Sequence, residues 1–242
     1  MKEVNIAHLY YDILNLYGES GNIKALKMHL EDQGLKVNIH FLTIKDKIEF
    51  NKFDLVYISS GTEESLKIVI EDILKYQKDI KEYIENNKFF LVTGNALNMF
   101  GKYMKEDNAL IKTLETFNYY VKEEKFRMVD ECIFKSSFIK EPIIGFQNIN
   151  TTLKDNDKYM FGVVKGIGSY PNSKTEGVNY KNFYGTYLLG PLLVRNPIFL
   201  EYFIKKLVKN KYKDFKFKKM NLKLDLKAYN NFKETFYKNI IK

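Results

Sequence analysis

Short runs of apolar residues alternate with longer amphipathic stretches along the first hundred residues of the chain. The short runs are rich in Val, Ile, Leu and Phe and are bounded by turn or charged residues, which is typical of buried strands. The longer stretches repeat apolar residues every three or four positions and predict helices. The predicted strands are Val4–Leu9, Val37–Leu42, Leu55–Ile58 and Phe89–Val92, and the predicted helices are Ile23–Asp32, Glu63–Glu85 (one helix or two) and a short segment, Asn95–Met104.

After residue 118 the pattern becomes more β-like, with the short runs NYYV, ECIFKS, PIIGF and MFGVV separated by predicted turns. Another strand is predicted from Asn182. A helix is predicted from Asn196-Pro197 to about Val208, and a last helix from about Tyr229. Alternating strands and helices predict a mostly parallel, doubly wound α/β sheet, to which the later runs add a β-rich segment.

The composition is that of a folded, soluble protein. The 45% hydrophobic and 15% aromatic fractions of the 242 residues exclude a disordered chain. No apolar run approaches the roughly 18 residues that would span a bilayer. The first residues carry charges where a signal peptide needs an apolar stretch, and a single cysteine, Cys132, fits a reducing compartment. We therefore predict a cytoplasmic protein that does not enter a membrane.

The formal net charge of +9 raises the question of a nucleic-acid partner. Nucleic-acid grooves favour arginine, and the chain has only Arg127 and Arg195. The excess charge lies in the lysine-rich tail after Asn210. These features argue against a nucleic-acid partner and slightly favour an acidic protein partner.

Candidates for nucleophilic catalysis are few. All three histidines, His8, His29 and His40, lie in the first forty residues, so the C-terminal half supplies no imidazole base. Cys132 lies in a predicted strand, where a free cysteine usually packs in the core. The chain contains no phosphate-binding loop motif, HExxH or CxxC, and we expect neither a cofactor nor a metal.

Three loops follow predicted strands, at the sheet edge where α/β proteins place their sites. Residues 9–26 (LYYDILNLYGESGNIKAL) form a polar connection. In residues 58–65 (ISSGTEES), free backbone N–H groups could bind an anion, or Thr62 could simply cap a helix. In residues 91–101 (LVTGNALNMFG) the chain turns sharply at Gly94, where many α/β enzymes carry a nucleophile. We call this strand–turn segment the elbow.

These segments, followed in order by FRMVDE, IIGFQNIN, EGVNYKN and GTYLLGPLLVRNP, resemble class I glutamine amidotransferases of the cobyric-acid-synthase-like type. Within that family they are most similar to the glutaminase subunits of lipid II isoglutaminyl synthases. The resemblance covers about residues 6–205 and implies a flavodoxin-like fold. We expect an amidotransferase-like domain over residues 1–205 and a lysine-rich helical extension, residues 206–242, packed on that domain.

The resemblance also implies a chemistry that this chain has lost. Such enzymes attack glutamine with a cysteine on the elbow, activated by a late histidine, and pass ammonia to a Mur-ligase-like partner. Here the cysteine position is Gly94 and the histidine position is Leu189. Arg127, Gly61 and Asn95 are the expected substrate-binding residues. Without a nucleophile and its base, the thioester mechanism cannot operate.

Three functions remain open. The first is a catalytically inactive subunit that pairs with a Mur-ligase-like enzyme in cell-wall precursor amidation. The second is a regulator that binds glutamine or another small ligand without hydrolysing it. The third, which the sequence disfavours, is an active glutaminase that supplies ammonia.

Overall fold

Parallel strands with helices on both faces form the larger part of the molecule. The computed structural model describes residues 1–107 and 109–237. Its strands are β1 (Glu3–Leu9), β2 (Lys36–Leu42), β3 (Leu55–Ile58), β4 (Phe89–Thr93), β5 (Tyr103–Glu106), β6 (Ala109–Lys112), β7 (Tyr120–Lys135), β8 (Ile143–Lys154), β9 (Phe161–Lys165), β10 (Thr175–Glu176), β11 (Val178–Tyr180) and β12 (Phe183–Thr186). Its α-helices are α1 (Ser20–Asp32), α2 (Glu63–Ile73), α3 (Gln77–Glu85), α4 (Leu192–Arg195), α5 (Pro197–Lys211) and α6 (Lys223–Tyr237).

The first sheet has the strand order β11-β12-β4-β3-β1-β2. All of its pairs are parallel except β11 with β12, which is antiparallel. Alternate residues of the central strands point to opposite faces, so that Val56 and Ile58 pack toward α2 and α3, while Leu55 and Tyr57 pack toward α1 and α5. The predicted doubly wound, flavodoxin-like sheet is therefore confirmed.

A second, mainly antiparallel sheet has the order β10-β9-β7-β5-β6, and β8 pairs antiparallel with β7 along nearly its whole length, from Tyr120 to Phe134. The sequence predicted short strands separated by turns in this region, and that expectation was wrong for the runs NYYV and ECIFKS. The second half of NYYV and all of ECIFKS except its last residue belong to one strand, β7, which continues through a bulge between Glu123 and Met128. A bulge absorbs an irregular, charged stretch without ending the strand pairing.

The predicted helix after Gly94 was also wrong. Residues Gly94–Phe100 form a short 3₁₀ helix, and β5 begins at Tyr103. The carbonyl of Met99 accepts from the N–H of Leu114 at 2.8 Å, and that of Phe100 accepts from Phe117 at 2.9 Å. These carbonyls bind the neighbouring loop, so the helix does not continue.

The C-terminal region packs on the rest of the chain through a small apolar cluster. Tyr229 and Tyr237 of α6 contact Ile133 of β7 and Ile144 of β8. Helix α6 starts at Lys223, six residues before its predicted start at Tyr229. The expected domain boundary after residue 205 falls within α5, and the division into two parts stays a prediction. No helix in the described part of the chain is long and apolar enough to cross a membrane.

Candidate functional site

Four loops meet at the carboxyl edge of the first sheet. They follow β1, β3, β4 and β12, the central strands of the parallel sheet. Among their residues are Tyr17, Ser60, Gly94 and Leu189, which lie far apart in sequence. Ligand sites of open α/β sheets lie at this edge because the strand order changes direction there and leaves a crevice.

Gly94 follows β4 directly and has a positive φ of 63°, a left-handed conformation that disfavours every residue with a Cβ. A Cβ placed on Gly94 would overlap Ser60 Cβ and would lie 2.6 Å from Leu189 Cδ2. Gly94 and Leu189 therefore lie side by side at this sheet edge. The space that a cysteine side chain would need is filled by these two neighbours.

Leu189 is held in this position by the second sheet. Its N–H donates to the carbonyl of Phe146 on β8 at 2.8 Å, and its side chain is buried. The preceding residues are anchored by the buried carboxylate of Glu176, which accepts from Tyr187 N at 2.7 Å and Thr186 Oγ1 at 2.8 Å. Burial raises the pKa of Glu176 to about 7, although both donors favour the ionised form.

A second buried carboxylate, Glu19, connects the first loop to the elbow. Its Oε2 accepts from Ser60 N at 3.0 Å, Ser60 Oγ at 3.0 Å and Thr93 Oγ1 at 2.9 Å. Complete burial raises the pKa of Glu19, and these donors act in the opposite direction. The sequence analysis did not select Glu19, because its partners Ser60 and Thr93 lie more than forty residues away in the sequence. Glu19 fixes the ends of β3 and β4 against each other.

The loop after β3 is closed onto the elbow by one side-chain amide. Asn95 Oδ1 accepts from Gly61 N at 3.1 Å, and Asn95 Nδ2 donates to Gly61 O at 2.8 Å. The Gly61 N–H was a candidate donor for an oxyanion, and here it already has an acceptor. Thr62 Oγ1 accepts from Ser65 N at 3.1 Å, so that Thr62 caps α2 as in the simpler interpretation of this segment.

A pocket of about 200 Å³ opens between these loops and the second sheet. Arg127 lies at its side, donating to Asn148 Oδ1 at 3.2 Å and forming an ion pair with Glu63 at 2.5 Å. Burial is the largest single influence on Glu63 and opposes its ionisation. The hydrogen bond from Arg127, a backbone hydrogen bond and the charges of Arg127 and Lys67 together outweigh it, so that the pKa of Glu63 is lowered. The pocket is lined by Leu16, Tyr17, Ser60, Gly61, Thr62, Glu63, Asn95, Arg127, Asn148, Ile149, Asn150 and Leu189.

The structure thus brings Gly61, Asn95, Arg127 and Leu189 to one pocket, with Gly94 behind its wall. No histidine and no cysteine lines it among the residues described. His8 is buried, and burial lowers its pKa to about 4. Burial also raises the pKa of Cys132 to about 12. Within residues 1–107 and 109–237, no group of three or more His, Cys, Asp and Glu side chains is placed to hold a metal ion.

A family model for the CobB/CobQ-like glutamine amidotransferase domain matches residues 5–197. The chain belongs to this family. The match covers about four fifths of the chain and includes the four loops at the carboxyl edge of the first sheet.

Curated relatives and solved structures agree with this assignment. The chain is 28% identical over 229 residues to "Lipid II isoglutaminyl synthase (glutamine-hydrolyzing) subunit GatD" of Staphylococcus aureus, covering 94% of both chains. It is 29% identical over 214 residues to the protein of that name in Streptococcus pneumoniae, covering 87% of this chain and 82% of the relative.

Among solved structures, a glutamine amidotransferase of Thermotoga maritima aligns with a TM-score of 0.51 at 12% identity, covering 96% of this chain and 92% of its own. Another structure described as a glutamine amidotransferase aligns with a TM-score of 0.55 at 11% identity, over 84% and 98% of the two chains. At these identities the two structures support the fold alone.

Proposed function

We propose that this chain is a catalytically inactive amidotransferase-like subunit, which pairs with a Mur-ligase-like amide-forming enzyme in the cytoplasm and takes part in the amidation of a cell-wall precursor. The observation that carries this proposal is the packing of Ser60 and Leu189 against Gly94, at the place where the family mechanism needs a thiol and an imidazole. The similarity of the whole chain to subunits named for lipid II isoglutaminyl synthase supports the choice of pathway.

Two further features support the absence of hydrolysis. The backbone N–H of Gly61 is bound to Asn95, so it is not free to stabilise an oxyanion. Ser60 Oγ does donate to a carboxylate, Glu19, but that carboxylate also holds Ser60 N and Thr93 Oγ1 and has its pKa raised by burial. A buried hydroxyl in this arrangement supports the loop rather than acting as a nucleophile.

The test of inactivity is a glutaminase assay on the purified chain, alone and with the ligase-type protein that co-purifies from its own cells. We expect ammonia release at the level of the no-enzyme control in both samples. A histidine-tagged chain expressed in its own cells should retain a ligase-type partner in native mass spectrometry. Ammonia release well above the control, or a chain that elutes without such a partner, contradicts the proposal.

A second candidate is a regulator that binds a small ligand without hydrolysing it. The open pocket with Arg127 at its side favours this function, because a guanidinium group binds carboxylates with good geometry. Isothermal titration calorimetry with glutamine at millimolar concentration tests the simplest form of it. Binding without ammonia release would support a glutamine sensor, and no heat would exclude glutamine as the ligand.

A further inference from the structure

The positive charge of the protein is confined to its C-terminal end. Residues 205–242 contain thirteen lysines and three acidic residues, which gives them a net charge of +10. The preceding 204 residues contain 26 basic and 27 acidic side chains, a net charge of −1. A preference for lysine along the whole chain would raise the net charge of both parts, so the excess is a property of the C-terminal end.

The connection between α5 and α6 presents lysines on its outer side. Residues 212–222 contain no helix or strand. The apolar side chains of this segment pack into the core beside α1 and α5 and are buried or half-buried: Tyr212, Phe215, Phe217, Met220 and Leu222. The lysines between them, which we call the outer lysines, are exposed: Lys213, Lys216, Lys218 and Lys219. The packing of the apolar residues therefore holds the outer lysines toward solvent.

This segment is fixed at the amino edge of the first sheet. Tyr212 Oη accepts from Glu3 N at 3.0 Å and donates to Glu3 O at 2.8 Å, where β1 begins. Lys218 N donates to Gln33 Oε1 at 2.8 Å, just after the end of α1. The pocket lies at the opposite edge, beyond the seven residues of β1, which span roughly 20 Å. The outer lysines and the pocket are therefore separate surfaces.

The charges of the outer lysines are not neutralised within the chain. Lys205 and Lys211 of α5 form ion pairs with Glu201 at 2.6 Å and Asp54 at 2.8 Å. No carboxylate in the described part of the chain forms an ion pair with any outer lysine. Four ammonium groups on one short segment attract a surface that carries many negative charges.

The neighbouring residues favour a lipid surface over a protein or a nucleic acid. Leu224, at the start of α6, is 79% exposed and lies between the exposed Lys223 and Lys227. An apolar side chain among lysines suits a membrane interface, where it contacts acyl chains while the lysines meet phosphates. Lysine is depleted in protein–protein interfaces, and residues 205–242 contain no arginine, which nucleic-acid sites favour.

We propose that the outer lysines bind the surface of an anionic membrane through the phosphates of its lipids, and that Leu224 contacts the headgroup region beside them. In this arrangement the chain lies on the membrane without crossing it. The pocket, at the opposite edge of the sheet, stays open to a protein partner. The inference is independent of the proposed function, because none of these residues lines the pocket.

The test is co-sedimentation of the full chain with vesicles. One preparation is phosphatidylcholine with about a third of phosphatidylglycerol, and the other is phosphatidylcholine alone. We expect the chain to bind the anionic vesicles at about 0.05 M salt. Binding should be at least about tenfold weaker to the neutral vesicles, and also at about 0.5 M salt, where the charges are screened. No binding to the anionic vesicles at low salt, or equal binding to both preparations, overturns the proposal.

Substitutions in the segment test its part in binding. The triple variant Lys216→Gln/Lys218→Gln/Lys219→Gln should bind anionic vesicles at least about tenfold more weakly, because each lysine near such a surface contributes about fivefold. Leu224→Ala should weaken binding at least about threefold and leave its salt dependence unchanged. These side chains are exposed, so both variants should keep the thermal melting of the unmodified chain.

A matched control removes the same charge elsewhere. Lys78, Lys105 and Lys112 are exposed on α3, β5 and β6, away from the outer lysines. The triple variant with glutamine at these positions should bind anionic vesicles as the unmodified chain does. Equal weakening in both triple variants would show that net charge alone governs binding, and it overturns the proposal. Tighter binding of polyglutamate or duplex DNA than of anionic vesicles, at equal total charge, overturns the membrane assignment.

Discussion

Gly94→Ala is expected to destabilise the protein strongly, although it adds a single methyl group. Gly94 has a φ of 63°, and a non-glycine residue in this conformation costs about 1–2 kcal/mol. The added Cβ would also overlap Ser60 Cβ and approach Leu189 Cδ2 to 2.6 Å. Overpacking of this kind costs about 1–3 kcal/mol. The free energy of unfolding should therefore fall by about 2–5 kcal/mol, and the melting temperature by roughly 4–20 °C.

Gly18→Ala is a matched control. Gly18 has a similar φ of 69°, but a Cβ placed there has no atom within 4 Å. Gly18→Ala should lower the free energy of unfolding only by the cost of a left-handed backbone at a non-glycine residue, about 1–2 kcal/mol. Urea denaturation of both variants gives the steric part by difference. The double variant Gly94→Ala/Ser60→Gly removes the Cβ that Gly94 would meet and should recover part of the loss, as measured against the Ser60→Gly single variant. If Gly94→Ala lowers the free energy of unfolding no more than Gly18→Ala does, the close packing of Ser60 and Leu189 against Gly94 is refuted.

Three further predictions follow from the site and the core. Since burial raises the pKa of Glu176 from 4.5 to about 7, the protonated form is favoured in the folded state, and stability should fall by up to about 3 kcal/mol as the pH rises through this window. Urea titrations from pH 4 to 8 should show this fall in the free energy of unfolding of the unmodified chain and a smaller fall in Glu176→Gln. An equal dependence on pH in the two proteins would contradict the role of Glu176. Asn95→Ala removes both hydrogen bonds to Gly61 and should cost about 1–2 kcal/mol in thermal melting; a neutral result would show that water replaces the amide. Cys132 is buried and its pKa is raised to about 12, so it should resist Ellman's reagent at pH 8 in the native state and react fully in denaturant; rapid native labelling would contradict its burial.

Much of the first sheet was predictable because its strands are buried on both faces and its helices are amphipathic. Leu55–Ile58 and its neighbours appear as continuous apolar runs, and the strand of Phe89 was predicted within one residue of its observed end at Thr93. The second sheet was predicted less well. The charged stretch between Glu123 and Met128 resembles a turn in sequence, whereas in the structure it is a bulge inside β7. Whether such a stretch forms a turn or a bulge depends on the neighbouring strands, whose residues are distant in the sequence.

The residues of the candidate site were likewise predictable only in part. Arg127, Gly61, Asn95, Gly94 and Leu189 were selected from the sequence, and the structure brings them to one sheet edge. Their roles as substituted catalytic positions and substrate contacts remain predictions. Glu19 was not selected, because nothing in its local sequence shows that Ser60 and Thr93 will donate to it. The pairing of Asn95 with Gly61 was likewise invisible, since it joins residues from two different loops.

The sequence by itself determined the class of the fold and the inventory of chemical groups. Periodicity follows from local backbone geometry, and the absence of a late histidine or of a cysteine on the elbow is a matter of composition. Only the tertiary structure decided how the space at the elbow is filled. Ser60 and Leu189 pack against Gly94, and the N–H of Gly61 donates to Asn95. Such contacts depend on distances between loops that are remote in sequence, and those distances are set by strand order and core packing rather than by local preference.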